Sequence, residues 1–178
     1  MNWSLHLVTD RELAGNRPLA QDLKTFLKPR SIPLIINDAV EVAQEIGADG
    51  IHVGQSDMDV LEVRARLGDS AIIGLSIETE EQAIEANALP IDYIGISPVF
   101  ATPTKEDHSE PWGLKGVRWL REHSRHPMVA IGGLNTGNVS DVIQAGADGI
   151  AVVSAICAAD DPEAAARALR DLIDKAHG

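Results

Sequence analysis

Two aspartates that follow neighbouring apolar runs are well suited to bind a divalent cation. Asp38 ends the run Pro33–Asp38, and Asp57 comes shortly after the run Gly50–Gly54. Mg²⁺ is usually held by one or two carboxylates together with substrate phosphate oxygens. Aspartate after a strand is also a common helix N-cap, and either residue alone is equally well explained in that way. Their positions after consecutive runs favour a metal site.

Two glycines near the end of the chain are candidates for phosphate binding. Gly132 and Gly133 follow an apolar run, and the next run leads into Val153 and Ser154. Backbone N–H groups exposed at such positions bind phosphate, particularly where a helix begins. A glycine pair also forms tight turns without a ligand, and that simpler reading stays open.

A polar loop and a serine complete the candidate residues. The segment Thr102-Pro103-Thr104-Lys105 carries two hydroxyls and an ammonium group, which suits an anionic or carbonyl-bearing ligand. Such tetrapeptides are usually plain surface loops. This loop, however, continues to about Trp112, and long loops in compact domains are often functional lids. Spacing alone explains Ser76 as a helix-capping hydroxyl and His52, which alternates with apolar neighbours, as a packing residue.

The elements that must position these residues are short apolar runs separated by amphipathic helical patterns. Near-continuous apolar runs are typical of strands buried on both faces of a parallel sheet. The predicted strands are Ser4–Thr9, Pro33–Asp38, Gly50–Gly54, Ile72–Ser76, Tyr93–Val99, Met128–Gly133 and Gly149–Ile156. Strands that alternate with helices indicate repeated βαβ units with right-handed crossovers.

An internal repeat favours a closed arrangement of these units. The segment 47–53, Gly-Ala-Asp-Gly-Ile-His-Val, returns at 146–152 as Gly-Ala-Asp-Gly-Ile-Ala-Val, and 90–95 is a weaker copy. Repeated βα units predict an α/β protein of the TIM (βα)₈ barrel type. In such barrels chemistry is found at the carboxyl ends of the strands, and phosphate often binds after strands seven and eight.

The barrel pattern lacks one unit. Seven strands are predicted, and 29 residues separate Thr9 from Asp38 with only one helical stretch, Pro18–Lys28, between them. We therefore expect one barrel domain over residues 1–178 in which strand 2 and its flanking helix parts are missing, with the deletion near residues 23–24.

Composition limits the function classes. The 178 residues include 27 acidic and 15 basic side chains, a net charge of −12, which argues against nucleic-acid and anionic-membrane partners. Cys157 is the one cysteine, so no intramolecular disulfide forms, as expected in a reducing cytoplasm. The first ten residues lack the pattern of a signal peptide, and no window has 18 apolar residues.

The ordered motifs resemble the thiamine-phosphate synthase family, which is related to the thiazole tautomerases. The similarity covers nearly all of the chain except the first gap. The supporting segments are Leu7-Val8-Thr9-Asp10, Ile35-Ile36-Asn37-Asp38, His52-Val53-Gly54-Gln55-Ser56-Asp57, Gly74-Leu75-Ser76, Thr102-Pro103-Thr104-Lys105, Ala130-Ile131-Gly132-Gly133 and Ala151-Val152-Val153-Ser154-Ala155-Ile156.

The resemblance implies a transferase that joins a hydroxymethylpyrimidine pyrophosphate to a thiazole phosphate and releases pyrophosphate. It implies Mg²⁺ ligation by Asp38 and Asp57, and contact of Asn37 with the pyrophosphate. It places Ser76 near the reacting methylene. Two further groups follow from it. Thr102, Thr104 and Lys105 face the thiazole phosphate and the leaving group, and Gly133, Val153 and Ser154 bind the thiazole phosphate.

Two departures from the family pattern keep alternatives open. The family's second strand carries a Gln-x-Arg-x-Lys motif for the pyrophosphate, which is absent here, and Glu78 stands where the family usually has histidine. A thiazole-tautomerase-like paralogue and a non-catalytic thiazole phosphate binder are the alternatives. An open barrel edge would also allow a homo-oligomer, and closure of the loop 101–112 over substrate is a further hypothesis.

Overall fold

A single parallel sheet organises the part of the chain that the computed structural model describes, residues 3–8, 17–101 and 110–178. Its strands are β1 (Leu5–Leu7), β2 (Ile35–Asn37), β3 (Gly50–Val53), β4 (Ile72–Ile77), β5 (Tyr93–Ile96), β6 (Met128–Ile131) and β7 (Gly149–Val152). The order across the sheet is β1-β7-β6-β5-β4-β3-β2, and every neighbouring pair is parallel. All the strands therefore end at the same edge, which we call the carboxyl rim.

Helices connect the strands, and in the described chain three of them begin at a residue whose side chain caps the helix. They are α1 (Arg17–Leu27), α2 (Val40–Ile46), α3 (Val60–Leu67), α4 (Glu80–Ala86), α5 (Gly113–His123), α6 (Val139–Gln144), α7 (Ser154–Cys157) and α8 (Pro162–His177). Asp59 caps α3 and Asp161 caps α8 through their carboxylates, and Thr79 forms a capping box with Gln82 at α4. These side chains bind the N–H groups that a helix leaves unpaired at its start.

The seven predicted strands are confirmed, with corrections to their ends. The fifth was predicted to reach Val99, but β5 ends at Ile96, and the largest difference is at the last strand. The prediction extended it over Gly149–Ile156, but β7 ends at Val152 and Ser154–Cys157 form the short helix α7. The final described hydrogen bond between β1 and β7 runs from the Val8 N–H to the Val152 carbonyl. A continuous apolar run does not distinguish a buried strand from a buried helical turn.

The sheet curls, so that its inner face encloses a small apolar cluster. Ile72, Tyr93, Val129 and Ala151 are buried in that cluster. The rings of Trp3 and Tyr93 lie 4.9 Å apart, although β6 and β7 separate β1 from β5. Three strand spacings in a flat sheet would span about 14 Å. The larger core packs on the outer face, between sheet and helices.

The aspartates of the sequence repeat have one shared structural role. Asp49, Asp92 and Asp148 each stand immediately before a strand, at the starts of β3, β5 and β7. Each accepts a hydrogen bond at 2.8 Å from a backbone N–H at the start of the neighbouring strand: Leu34, Ile73 and Met128 respectively. The repeat therefore fastens the amino ends of the strands, at the edge opposite the carboxyl rim.

These observations define an α/β fold with a curled, seven-stranded parallel sheet, consistent with a TIM-like barrel. Among the described residues, β1 and β2 form the two ends of the sheet and do not pair with each other. In the same residues, no helix is long and apolar enough to cross a bilayer.

Candidate active site

The carboxyl rim brings together the predicted site residues that fall in the described chain. Those residues are Asn37, Asp38, Asp57, Ser76, Gly133, Val153 and Ser154, and they end or follow β2, β3, β4, β6 and β7. Thr102, Thr104 and Lys105, and with them most of the loop 101–112, lie outside the described residues. The loop's far end is fixed to the rim, because Trp112 and Gly113 donate backbone hydrogen bonds to the carbonyls of Pro98 and Val99.

The two predicted metal ligands follow adjacent strands. Asn37 is in register with His52, and the Asp38 N–H donates to the His52 carbonyl at 2.9 Å. Asp38 has φ +61°, a left-handed conformation that aspartate tolerates better than most residues and that turns the chain sharply away from β2. The Asp57 carboxylate accepts a hydrogen bond from the Gly54 N–H at 2.7 Å, which fixes it beside the end of β3.

Helix capping does not account for these aspartates. The N-cap of α2 is Ala39 rather than Asp38, and the N-cap of α3 is Asp59 rather than Asp57. The rim therefore carries two carboxylates whose positions the helices do not explain. Within the described ranges no group of three or more His, Cys, Asp or Glu side chains forms a metal site. Two carboxylates at neighbouring strand ends fit Mg²⁺, which completes its octahedron with water and phosphate oxygens.

Ser76 lies inside the curled sheet, next to the end of β4. Its carbonyl accepts a hydrogen bond from the Gln55 side-chain amide at 2.6 Å, and its hydroxyl lies 2.9 Å from His52 Nε2. Capping does not explain this serine either, because α4 is capped by Thr79. The turn that follows β3 is thus tied to β4, which connects the position of Ser76 with that of Asp57.

His52 has polar contacts that the sequence did not reveal. It packs against Tyr93, in agreement with its prediction as a packing residue, and its ring is also hydrogen-bonded at both nitrogens, to Ser76 Oγ and, at 3.0 Å from Nδ1, to Tyr93 Oη. Burial, with a smaller contribution from the Asp92 charge, raises the pKa of Tyr93 well above its ordinary value, so this hydroxyl stays protonated at neutral pH. One signal was available in the sequence: Gly74 and Gly95 occupy the positions on β4 and β5 that face the ring.

Backbone amides form the opposite side of the rim. Gly132 and Gly133 have φ +99° and +66°, and the chain after β6 packs closely against residues 98–101. Asn138 holds this turn by donating from its side-chain amide to the Gly133 carbonyl at 2.9 Å. Within the described chain, the N–H groups of Gly133, Val153 and Ser154 donate no hydrogen bond. These amides lie at the ends of two paired strands, β6 and β7, and suit a phosphate group.

Taken together, a curled parallel α/β sheet with paired carboxylates and amide donors at its carboxyl rim defines a barrel-type protein that handles phosphorylated small molecules. The model of the thiamine monophosphate synthase family (TMP-TENI) matches residues 10–156. The chain belongs to this family, and the family resemblance seen in the motifs is confirmed.

Individual relatives agree with this assignment. The thiamine-phosphate synthase of Albidiferax ferrireducens is 46% identical over 200 residues, which cover 96% of this chain and 91% of that protein. The thiamine-phosphate synthase of Leptospira biflexa is 53% identical over 157 residues, 86% of this chain and 75% of that protein. The solved structure of thiamine phosphate pyrophosphorylase from Pyrococcus furiosus superposes with a TM-score of 0.89 at 29% identity, covering 99% of this chain and 98% of that chain.

The lengths of these matches differ in an informative way. The Albidiferax match extends over 200 positions, whereas 96% of the 178 residues is about 171. The difference leaves about 29 positions of the match without a residue in this chain. The Leptospira match has 157 positions for about 153 residues and is nearly free of such gaps.

Proposed function

We propose that this chain is a thiamine-phosphate synthase that condenses 4-amino-2-methyl-5-hydroxymethylpyrimidine pyrophosphate with 4-methyl-5-(2-phosphoethyl)thiazole, or its carboxylate form. The products are thiamine phosphate and pyrophosphate. One observation carries the proposal: the same rim has the two aspartates Asp38 and Asp57 on one side and the amide donors of Gly133 and Ser154 on the other. A cytoplasmic location is part of the proposal, and the free Cys157 is consistent with it.

The proposed reaction is a dissociative substitution. The bond between the pyrimidine methylene and the pyrophosphate oxygen breaks, the electron pair leaves with pyrophosphate, and the thiazole nitrogen then forms the new carbon–nitrogen bond. The aminopyrimidine stabilises the positive charge at the methylene. The thiazole nitrogen is already a nucleophile, so the site needs no strong general base. Alignment of the two substrates supplies much of the rate.

Charge neutralisation on the leaving group is the main task of the side chains. Mg²⁺, when bound, neutralises the negative charge that develops on pyrophosphate. Asp38 and Asp57 would hold the cation, and Asn37 would donate its amide to a pyrophosphate oxygen. We propose that Ser76 and Lys105 contact the departing group, because a hydroxyl and an ammonium can both donate to an oxygen that gains charge.

The thiazole phosphate is assigned to the opposite side of the rim. The amides of Gly133, Val153 and Ser154 would bind its phosphate, with the Ser154 hydroxyl as a further donor. Thr102 and Thr104 would complete this subsite. The unpaired N–H groups at the ends of β6 and β7 support the assignment, since the dipoles at such positions favour an anion.

An assay with both substrates tests this function directly. The purified protein should form thiamine phosphate and pyrophosphate with Mg²⁺ and lose this activity in excess chelator. Asp57→Asn should lower kcat/KM more than about 100-fold, because removing even an outer partner of a metal ligand costs 10- to 100-fold. Asp69→Asn is the matched control, since Asp69 is exposed at the opposite edge, and it should keep normal activity. An Asp57→Asn variant as active as Asp69→Asn would refute the metal role.

We also propose that one βα unit is missing between β1 and β2. The gap of about 29 positions in the Albidiferax match supports this, because one such unit has roughly 30 residues. The absence of pairing between β1 and β2 in the described chain is consistent with it. The single domain 1–178 and a junction near residues 23–24, within the continuous helix α1, remain predictions.

The missing unit is the reason to retain a second candidate function. A chain without the family's pyrophosphate-binding motif is expected to bind thiazole phosphate and to turn over poorly, as a tautomerase-like paralogue or a non-catalytic binder would. Calorimetry with thiazole phosphate, next to the synthase assay, separates these cases: binding without thiamine phosphate formation favours the second. The intact mass of the protein as its source organism makes it, 19.0 kDa or heavier by about 30 residues, tests the deletion itself.

A further inference from the structure

A hydrogen-bonded chain of three side chains crosses the inner face of the sheet below the rim. Tyr93 Oη lies 3.0 Å from His52 Nδ1, and His52 Nε2 lies 2.9 Å from Ser76 Oγ. These residues stand on three neighbouring strands, β5, β3 and β4, so the strand pairing fixes their spacing. Both ring nitrogens therefore have partners whose own positions are fixed by the backbone.

Two glycines make room for the imidazole on the inner face. A Cβ atom at Gly95 would lie 2.8 Å from His52 Cε1, and one at Gly74 would lie 2.5 Å from His52 Nδ1. The Cβ at Gly74 would also lie 2.2 Å from Tyr93 Cζ. Contacts under 3.0 Å are not tolerated, so the ring lies directly on two strands that carry no side chain beneath it. Simple apolar packing would not need a polar ring with two fixed partners at this place.

The protons that join Tyr93, His52 and Ser76 can be arranged in two directions. In one, Tyr93 donates to Nδ1, the Nε2–H donates to Ser76 Oγ, and the serine hydroxyl proton is directed away from the ring. In the other, the Ser76 hydroxyl donates to Nε2, the Nδ1–H donates to Tyr93 Oη, and the Tyr93 hydroxyl proton is directed away from the ring. The Tyr93 hydroxyl is neutral at neutral pH and can donate to Nδ1, as the first direction requires. A pyrophosphate offers acceptors only, so the first direction is the one that lets Ser76 serve it.

We propose that His52 is a positioning residue that orients the Ser76 hydroxyl, through its Nε2–H, as a hydrogen-bond donor to the leaving pyrophosphate. This inference rests on the proposed synthase function. It adds to that function a positioning residue, the tautomer of its imidazole ring and the direction of its hydrogen bonds. His52 itself touches neither substrate in this role. Its effect is exerted through Ser76 Oγ, and Tyr93 selects the tautomer.

Two substitutions of His52, whose side-chain amides extend to different ring positions, distinguish a positioning role from a packing role. The amide nitrogen of His52→Gln reaches the position of Nε2 and can still donate to Ser76. The amide of His52→Asn reaches only the position of Nδ1. We expect His52→Asn to lower kcat about 10- to 100-fold, the result of losing one hydrogen bond to a reacting group, with KM for the thiazole phosphate unchanged. His52→Gln should stay within about fivefold of the parent protein on the same scale.

A double-mutant cycle completes the kinetic test. In a Ser76→Ala background, His52→Asn should cause no further loss, because its target is already absent. Equal losses in the presence and absence of the serine hydroxyl, or equal losses for the asparagine and glutamine variants, would overturn the proposal. Thermal unfolding of each variant shows whether it is folded. If a His52 variant does not fold, Tyr93→Phe, which leaves the histidine in place, serves as the alternative test.

The tautomer gives a readout that does not depend on turnover. ¹⁵N chemical shifts of the imidazole in the ligand-free protein should show a protonated Nε2 and an unprotonated Nδ1, and Tyr93→Phe should reduce this preference. A protonated Nδ1 in the parent protein would reject the inference even if the synthase assay succeeds. Conversely, the expected tautomer in a protein without synthase activity would uphold the hydrogen-bond direction while the proposed function fails.

Discussion

Replacing Gly133 by alanine should destabilise the fold much more than the same replacement at Gly113. Both glycines have similar positive φ angles, +66° and +56°. An L-residue in that region costs about 1–2 kcal/mol relative to glycine, and this cost applies to both variants. The surroundings differ. Nothing lies within 4 Å of a Cβ at Gly113, whereas a Cβ at Gly133 would lie 2.8 Å from Phe100 Cβ and 2.9 Å from the Ala101 carbonyl oxygen.

The crowding at Gly133 cannot be relieved by a simple rotamer change. One close atom belongs to the backbone, and the Phe100 N–H is itself bonded to the Gly132 carbonyl at 3.1 Å. Overpacking of this kind adds about 1–3 kcal/mol. We therefore expect a loss in the free energy of unfolding of about 2–5 kcal/mol for Gly133→Ala and about 1–2 kcal/mol for Gly113→Ala.

Urea unfolding followed by circular dichroism measures both values on one scale. The midpoint should fall further for Gly133→Ala while the m-value stays the same, which indicates a change of stability rather than of the unfolded state. For a domain of this size each kcal/mol also lowers Tm by about 2–4 °C. Equal losses for the two variants would refute the reasoning, because they would show that the turn after β6 can move without cost.

Three further predictions concern the amino ends of the strands and the buried histidines. Gly149→Ala should destabilise the fold by about 3 kcal/mol, since its Cβ would lie 1.6 Å from the Trp3 carbonyl oxygen and separate β1 from β7. Arg64→Ala should cost about 2 kcal/mol, because the Ala71 and Pro90 carbonyls lose their partner; urea unfolding measures both variants. Burial lowers the pKa of His6 and His126, so the unfolded state binds more protons below about pH 6.5 and the urea midpoint should fall between pH 7.5 and 5.5.

Each of these has a control within the chain. Gly137→Ala meets only a flexible side-chain atom, Asn135 Oδ1, and should be nearly neutral. Arg66→Ala removes only exposed ion pairs from the same helix as Arg64 and should cost less than about 1 kcal/mol. His6→Gln should flatten the dependence of the urea midpoint on pH. An unchanged dependence in that variant would exclude His6 as a source of the effect.

The fold could be predicted to a large extent because apolar periodicity reports burial directly. Each buried strand produced a continuous apolar run, and capping residues such as Asp59 and Asp161 marked helix starts through a local hydrogen bond. The end of β7 could not be predicted, because a continuous apolar run does not distinguish a buried strand from the buried helical turn that follows it. The repeated aspartates were visible as a pattern, but their partners, such as the Ile73 N–H, lie in another strand.

Parts of the candidate site required the three-dimensional register. That Asp38 and Asp57 follow neighbouring strands could be predicted from chain order, because parallel strands end at one edge. The contact of His52 with Ser76 and Tyr93 could not, because it joins positions 24 and 41 residues apart on three strands. The alternation of His52 with Ile51 and Val53 showed that it lies on the other face of the strand from them, but it did not show which side chains it meets there.

The charge at the rim makes the proposed loss of one βα unit the main question for the proposed activity. Asp38 and Asp57 would repel a pyrophosphate by about 1–4 kcal/mol per charge pair at 4 Å, so their place beside this ligand is reasonable only with a cation between them. One Mg²⁺ would offset a charge equal to that of the two carboxylates, so part of the pyrophosphate charge would have to be neutralised by other donors. In the family those include the Arg and Lys of the motif that this sequence lacks, which leaves Lys105 as the principal candidate cation. The proposed synthase should therefore bind thiazole phosphate normally but require a high concentration of the pyrimidine pyrophosphate. A normal KM for that substrate in a 19.0 kDa protein would mean that another part of the molecule replaces the motif.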